Sequence, residues 1–308
     1  MSEFKQLALI GPTASGKSAL AIKLAEQHSA YILSLDSLSI YKEIHIASAK
    51  PTLTERSGIL HFGIDVIFPD EPFDVTTFVE LYKKAKNKAI EDGKNLIIVG
   101  GTSFYLSTLI NGISQLPQIS EKSKKESNEL LKDLKKAHKF LYNLDSEYIK
   151  SITENDRYRL EKMLNLYFET GMTPTQYFKN NPPTPTISEE LPIYEIDVPR
   201  DLLRKRIIER TFKMVDEDLI DEVFYLEKNY TRLPNCMKSI GIKEVLHYLD
   251  GHYNKIKMRE QIITHTAQLA KRQRTFNNSK FKNKISLPIE KLEELLLNQA
   301  SINLNNFA

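Results

Sequence analysis

One segment restricts this chain more than any other: Gly11-Pro12-Thr13-Ala14-Ser15-Gly16-Lys17-Ser18. It fits G-x-x-x-x-G-K-[ST], the phosphate-binding loop, and it stands between the two elements such a loop needs. The apolar run Leu7-Ala8-Leu9-Ile10 before it reads as a buried strand. Ala19 to Ala25 after it carries apolar residues at helical spacing. In that setting successive backbone N–H groups wrap an anion, the helix N-terminus adds partial positive charge, and Lys17 adds a full one. Gly11, Pro12, Thr13, Ala14, Ser15, Gly16, Lys17 and Ser18 are the expected phosphate or diphosphate site, with the Ser18 hydroxyl suited to Mg²⁺.

The first hundred residues go on alternating strand and helix. Tyr31 to Leu35 reads as a second strand ending at Asp36-Ser37, Val75 to Glu91 as a helix, and Lys94 to Val99 as a third strand ending at Gly100-Gly101-Thr102. Leu191 to Val198 reads as a further strand, reached only after a long excursion. The pattern predicts an α/β fold, a P-loop NTPase-like doubly wound parallel sheet with an inserted all-helical subdomain. Such sheets bind ligands beyond the carboxyl ends of their strands, where Gly11, Asp36 and Gly100 all fall. The expected division is a core from 1 to 119, a helical insertion from 120 to 188, and core completion with C-terminal helices from 189 to 308. Within the insertion, 121–143 and 151–169 read as helices, and 170–186, with Pro174, Pro182, Pro183 and Pro185, as a stiff loop. Helices are then expected over 200–230, 239–249 and 255–277.

Charge narrows the partners. The chain carries a net +3, yet Lys255 to Lys284 holds nine Lys/Arg against the single acid Glu260. A local excess of that size predicts contact with a polyanion. Cys236 is the only cysteine, which excludes a disulfide framework and a cysteine zinc site and reads as a small buried side chain. No apolar run approaches the ~18 residues of a membrane span, and a cytoplasmic, monomeric protein is expected.

The loop alone does not decide the chemistry. A third strand ending in Gly-Gly-Thr lacks the acid that usually orders the metal in nucleotide hydrolases. Asp36 instead ends the strand beside the loop, either as a carboxylate facing the reacting centre or as the cap of the next turn. Thr102 is a hydrogen-bonding group for the site or a cap for the following helix. His61 reads chiefly as a structural histidine, and Asp216-Glu217-Asp218 with Asp221-Glu222 as a solvated face. Arg206 and Arg210, one helical turn apart, are either diphosphate ligands or surface charges.

Together these motifs resemble the tRNA dimethylallyltransferases. The likeness runs in order through Gly11 to Ser18, Leu35-Asp36-Ser37, Tyr41, Ala49-Lys50-Pro51, His61, Ile64-Asp65, Val99 to Thr102, and Tyr105. It continues through Asn155-Asp156 with Arg159, Ile240-Gly241, Lys243-Glu244, and Ala270-Lys271-Arg272-Gln273. The chain departs from the usual family pattern at Ala47-Ser48, Lys124, Lys162, Phe276 and Asn277-Asn278.

The resemblance implies transfer of a dimethylallyl group from dimethylallyl diphosphate to N6 of adenosine 37 beside a tRNA anticodon, releasing pyrophosphate. It implies Asp36 as the base, with Lys17 and Thr102 as its catalytic companions and Mg²⁺ as cofactor. The implied contacts to the anticodon stem-loop are Asp36, Ser37, Leu38, Ser39, Thr102, Lys124, Tyr158, Arg159, Lys162, Lys243, Lys271, Arg272 and Arg274. The rival readings are a small-molecule or nucleotide kinase, a prenyltransferase acting on free AMP or ADP, and a non-catalytic RNA-binding protein. The basic strip argues against the first two, and Lys17 with Asp36 against the third.

Overall fold

The computed structural model describes residues 3–298, and in them the apolar runs become strands. In chain order the elements begin with β1 (Gln6–Ile10), α1 (Lys17–Gln27), β2 (Ala30–Ser34), β3 (His61–Phe62) and α2 (Val75–Glu91). Then come β4 (Asn95–Gly100), α3 (Ser103–Asn111), α4 (Glu121–Leu130), α5 (Leu134–Leu144), α6 (Ser146–Ile149), α7 (Arg157–Thr170) and α8 (Pro174–Asn180). The chain continues with β5 (Ile193–Ile196), α9 (Arg200–Asp216), α10 (Leu219–Tyr230), a 3₁₀ turn at Asn235–Lys238, α11 (Ile242–Leu249), α12 (Lys255–Lys280), β6 (Ile285–Leu287) and α13 (Ile289–Leu297).

The six strands form one sheet in the order β3-β2-β4-β1-β5-β6, every pair parallel. β1 lies between β4 and β5 with helices over both faces, which is why all five of its residues are buried and its sequence is unbroken apolar. From β1 the chain runs outward to β2, and from β4 it crosses to β5 on the other side. The loop after β1 therefore sits where the strand order reverses. One core joins Leu7, Leu9, Leu20, Ile97 and Ile196 to Ile207 of α9 and Leu292 of α13. A second gathers Ile40 and Ile44 with Met214, Val223, Val245, Met258 and Ile262 of the later helices, and Cys236 is buried in it.

The chain divides into two compact units, Thr108–Thr186 and the remainder. The smaller unit starts twelve residues before the expected 120 because α3 crosses its boundary. Its own core holds Leu131, Leu141, Ile149, Leu160 and Leu164. Asp145 ties its parts, accepting from Tyr148 N (3.1 Å), Thr175 N (2.7 Å) and Thr175 Oγ1 (2.9 Å).

Four local features differ from the sequence expectation. The 121–143 helix breaks at Asp133, whose carboxylate caps α5 at the N–H groups of Lys135 and Lys136. The proline loop contains α8, because Pro174 occupies a first-turn position that needs no N–H and Thr173 with Gln176 forms a capping box. The 200–230 helix breaks at Asp218, which adopts a left-handed φ of 67°. β6 and α13 add an edge strand and a closing helix after the basic strip.

The acidic run 216–222 is solvent-exposed at Asp216, Glu217, Asp218 and Asp221, as expected, and departs from a plain solvated face at Glu222. Asp216 pairs with Arg259 at 2.9 Å, and Glu222 accepts the N–H groups of His45 (2.7 Å), Ile46 (2.8 Å) and Ala47 (2.9 Å). Three donors of one loop thus share one carboxylate. Glu222→Ala is expected to destabilise the fold by about 2 kcal/mol, seen as a fall in Tm of a few degrees, because those N–H groups lose a charged acceptor. An unchanged Tm would show that the loop is held by other contacts.

Candidate active site

The loop after β1 closes on itself. Gly16 has a φ of 95°, and a Cβ there would lie 2.8 Å from Ile289 Cδ1, so only glycine fits both backbone and neighbour. Lys17 opens α1 with its side chain turned back over the loop, Nζ donating to the Pro12 carbonyl at 2.7 Å and to Ser15 Oγ at 3.4 Å. Burial pushes its ammonium down from 10.5 to about 8, with the Asp36 charge acting against that fall and the Arg210 charge adding to it. Gly11 and Pro12 are buried beneath the turn, whereas Ser18 is exposed.

The two arginines of α9 reach this loop. Arg206 Nη1 donates to the Ser15 carbonyl at 3.3 Å, and Arg210 Nη2 to Thr13 Oγ1 at 2.9 Å. Burial lowers Arg210, and Asp36 counters it. These are therefore not surface charges. Three cations thus stand at the anion loop, and the Asp36 charge acts on two of them, Lys17 and Arg210.

Asp36 and Thr102 are brought together by the ends of β2 and β4. Leu35 N donates to the Val99 carbonyl (2.7 Å) and Thr102 N to the Leu35 carbonyl (3.0 Å), which locks the two strand ends in register. Asp36 Oδ1 accepts from Leu38 N (2.8 Å) and Ser39 N (3.1 Å). The carboxylate thus does cap its own turn, through one oxygen. Among the described residues Oδ2 takes no hydrogen bond. Thr102 precedes α3, and its carbonyl accepts from Tyr105 N at 3.0 Å.

A cavity of about 800 Å³ is lined by Thr13 to Ser18, Asp36 to Ser39, Thr102, Lys243 and Arg272. Its walls also include Arg210, His61, Leu38, Ile64, Phe104, Met214, Ile240, Leu269 and Phe276, so cationic and apolar surfaces face one space. His61 Nδ1 is bonded to the Ile59 carbonyl at 2.9 Å, as a structural histidine would be, although the ring edges the cavity. Phe276 and Ala47-Ser48, where the chain departs from the expected motif, are wall residues.

Among the cavity residues given no role from sequence, three carry a charge or an amide, Lys50, Lys238 and Gln273. Lys50 Nζ is buried and donates to the Tyr41 carbonyl (2.7 Å) and Asp65 Oδ1 (2.5 Å), with Arg56 on the other Asp65 oxygen (2.7 Å). Lys238 lies on the rim. Gln273 of α12 is hydrogen-bonded to both Thr13 and Gly101. For Lys50 and Gln273 motif position was the only available signal, since the Gln273 contacts lie 260 and 172 positions away and the Lys50 contacts, though within 15 positions, follow no regular period.

The basic strip is not one surface. Lys271 and Arg272 are exposed on α12. Arg274, expected on RNA, instead donates to the Val198 carbonyl and lies 3.6 Å from Asp197, fixing the end of β5. Arg259 is spent on Asp216 and the Phe212 ring, and Lys284 is within 3.4 Å of buried Glu195. In the smaller unit Lys162 Nζ lies 4.6 Å from the Tyr158 ring centroid, with Tyr158 and Arg159 exposed on the same helix. Lys124 is exposed and pairs with Glu121 at 2.6 Å.

Residues 39–280 match the family model described as IPP transferase. The chain belongs to the IPP transferase family. It is 59% identical to a tRNA dimethylallyltransferase of a Sulfurovum species, over 96% of this chain and 98% of that one. Among solved structures, a tRNA isopentenylpyrophosphate transferase from Staphylococcus epidermidis superposes with a TM-score of 0.67 at 30% identity, over 96% of each chain. A eukaryotic dimethylallyltransferase acting on tRNA superposes with a TM-score of 0.77 at 26% identity, over 92% of this chain and 74% of that one. For this IPP transferase family member, no helix among the described residues is long and apolar enough to cross a membrane.

Proposed function

We propose that the chain transfers a dimethylallyl group from dimethylallyl diphosphate to N6 of adenosine 37 in tRNA, releasing pyrophosphate. One observation carries the reading: the Asp36 carboxylate lines the same cavity as the phosphate loop, with Lys17 and Arg210 within its field. As the allylic C–O bond breaks, its electron pair leaves with pyrophosphate. Loop N–H groups, Lys17 and Arg210 stabilise that growing charge where it develops. The N6 lone pair forms the new C–N bond, and the N6 proton passes to Asp36, whose Oδ2 is the open acceptor. Apolar walls such as Leu38, Met214 and Ile240 suit the five-carbon chain and exclude water from the allylic centre. The exposed Ser18 hydroxyl is a hard oxygen donor suited to Mg²⁺, which would add counter-charge on the diphosphate oxygens.

An adenine inside a stacked anticodon loop cannot reach this cavity, so the base is extruded into it. Ser37 and Ser39, beside Asp36, flank its entry. Lys243 at the cavity edge and Lys271 with Arg272 on α12 are the proposed contacts to the RNA backbone from the larger unit. Tyr158, Arg159, Lys162 and Lys124 are those of the smaller one. The Tyr158 ring with its adjacent cation is a stacking platform of the kind single-stranded bases use. Arg274 is left out because its guanidinium is already spent.

The test is incubation with dimethylallyl diphosphate and a tRNA bearing adenosine 37, followed by mass spectrometry of the digested nucleosides. N6-dimethylallyladenosine at that position is expected, and a guanosine 37 control gives none. Turnover of ATP without prenyl transfer, or prenylation of free AMP as fast as tRNA, overturns the reading. In the same assay, Lys271→Glu with Arg272→Glu is expected to weaken tRNA binding at least ~10-fold and to flatten its salt dependence by about one to two phosphate contacts. Pyrophosphate affinity should stay unchanged. If both affinities fall together, the charges act on the cradle and not on RNA.

A further inference from the structure

The side chain of Gln273 spans the two halves of the cavity. Its Oε1 accepts the Thr13 N–H at 2.8 Å, and its Nε2 donates to the Gly101 carbonyl at 3.0 Å. Thr13 belongs to the loop after β1, whereas Gly101 immediately precedes Thr102 at the end of β4. Gly101 lacks a Cβ where the Gln273 carboxamide lies, and a methyl group there would collide with Nε2. Thr13 is held a second time through its hydroxyl by Arg210, so the loop position nearest α12 is fixed from two helices. Gln273 directly follows exposed Arg272 and precedes the inward-turned Arg274 on that helix.

We infer that Gln273 is a positioning residue for the transfer step, a strut that sets the distance between the anion loop and the Asp36–Thr102 edge. This rests on the proposed function. The leaving group is held by the loop, and the accepting nitrogen by the ends of β2 and β4. The sheet ladders tie β2 to β4 and β4 to β1 only as far as Ile10 opposite Gly100, and beyond that point Gln273 is hydrogen-bonded both to the loop and to the residue before Thr102. A primary carboxamide suits the role because it offers one acceptor and one donor in a fixed plane, and this pair needs one of each. Both bonds run to backbone groups of the protein, so the residue acts through the groups it aligns.

Gln273→Met keeps the length and apolar bulk of the side chain and removes both bonds. It is expected to lower kcat ~10²-fold, the usual cost of a displacement near 1 Å at a reacting centre. KM for tRNA and tRNA affinity should move less than threefold, because Arg272 and Lys271 are untouched. Gln273→Glu retains the acceptor for Thr13 N–H but loses the donor to Gly101, and should recover part of kcat. Gly101→Ala should mimic Gln273→Met by displacing the carboxamide, and the double variant should be no slower than either single one. Circular dichroism and Tm on the same samples establish that each variant is folded. A folded Gln273→Met with kcat within threefold of the parent overturns the inference, as does a kcat loss in Gly101→Ala that multiplies with it. So does an unfolded Gln273→Met accompanied by a folded Gly101→Ala of full activity. Absence of transfer by the parent chain would instead sink the proposed function, so the two failures are distinguishable.

Discussion

Asp36→Ala is expected to slow prenyl transfer at least ~10²-fold at saturating substrates while changing tRNA affinity by no more than a few-fold. The N6 lone pair of adenine is delocalised into its ring, so the amine attacks well only if its proton is removed as the bond forms. A positioned base contributes ~10²–10⁴-fold to such a step, or roughly 3–5 kcal/mol of barrier. Alanine also removes the acceptor for Leu38 N and Ser39 N, which could loosen the turn without any catalytic role. Asp36→Asn separates the two effects, because its carbonyl oxygen can still receive both N–H groups. If Asp36 is the base, the asparagine variant is as slow as the alanine one and as heat-stable as the parent. If asparagine restores the rate, the carboxylate is only a turn cap. Single-turnover prenylation with filter binding of tRNA measures both quantities.

The parts of this molecule that were legible from sequence share one physical property: their signal is local. β1, β2 and β4 are strands of a parallel sheet flanked by other strands, and that burial appears as short apolar runs. The loop from Gly11 to Ser18 is a backbone shape that demands particular residues at fixed spacing. Asp36 was legible because it ends one of those runs. β6 was not, since its three residues follow a lysine-rich stretch and serve an edge. β3 is two residues long and carries no period at all. α8 was hidden because a proline that starts a helix looks the same as one that ends a loop.

The site was legible at its centre and not at its supports. Arg210 meets Thr13 across 197 positions and Gln273 meets it across 260, and no window of sequence contains either pair. Summed charge predicted a basic strip on α12, but charge does not say which way a side chain points. Arg259, Arg274 and Lys284 are turned to partners within the protein, which leaves Lys271 and Arg272 as the exposed pair at the cavity end. Glu222 likewise counted as one acid among several until three N–H groups were found on it.

Lys17→Met should be the most damaging change of charge in the chain, with kcat/KM for dimethylallyl diphosphate falling at least ~10²-fold and tRNA binding retained. The diphosphate is anionic when it binds and gains further charge as the allylic bond breaks, so a cation fixed beside it stabilises the transition state more than the ground state. Lys17 is suited to this by the same burial that lowers it to about 8, since a poorly solvated ammonium gains more from an arriving anion than a hydrated one. That burial also means the wild-type charge is costly to keep in the folded protein. Methionine of similar length removes the cost, so Tm should hold or rise while activity collapses, the trade expected of a site that sacrifices stability for function. A drop in both would assign Lys17 to the fold through its bond to the Pro12 carbonyl. Lys17→Met combined with Asp36→Asn is expected to cost less than the product of the single losses, because once the leaving group is unsupported the base has little to assist. Losses that multiply in full would mean that the two groups act in separate steps and that departure and deprotonation are not coupled.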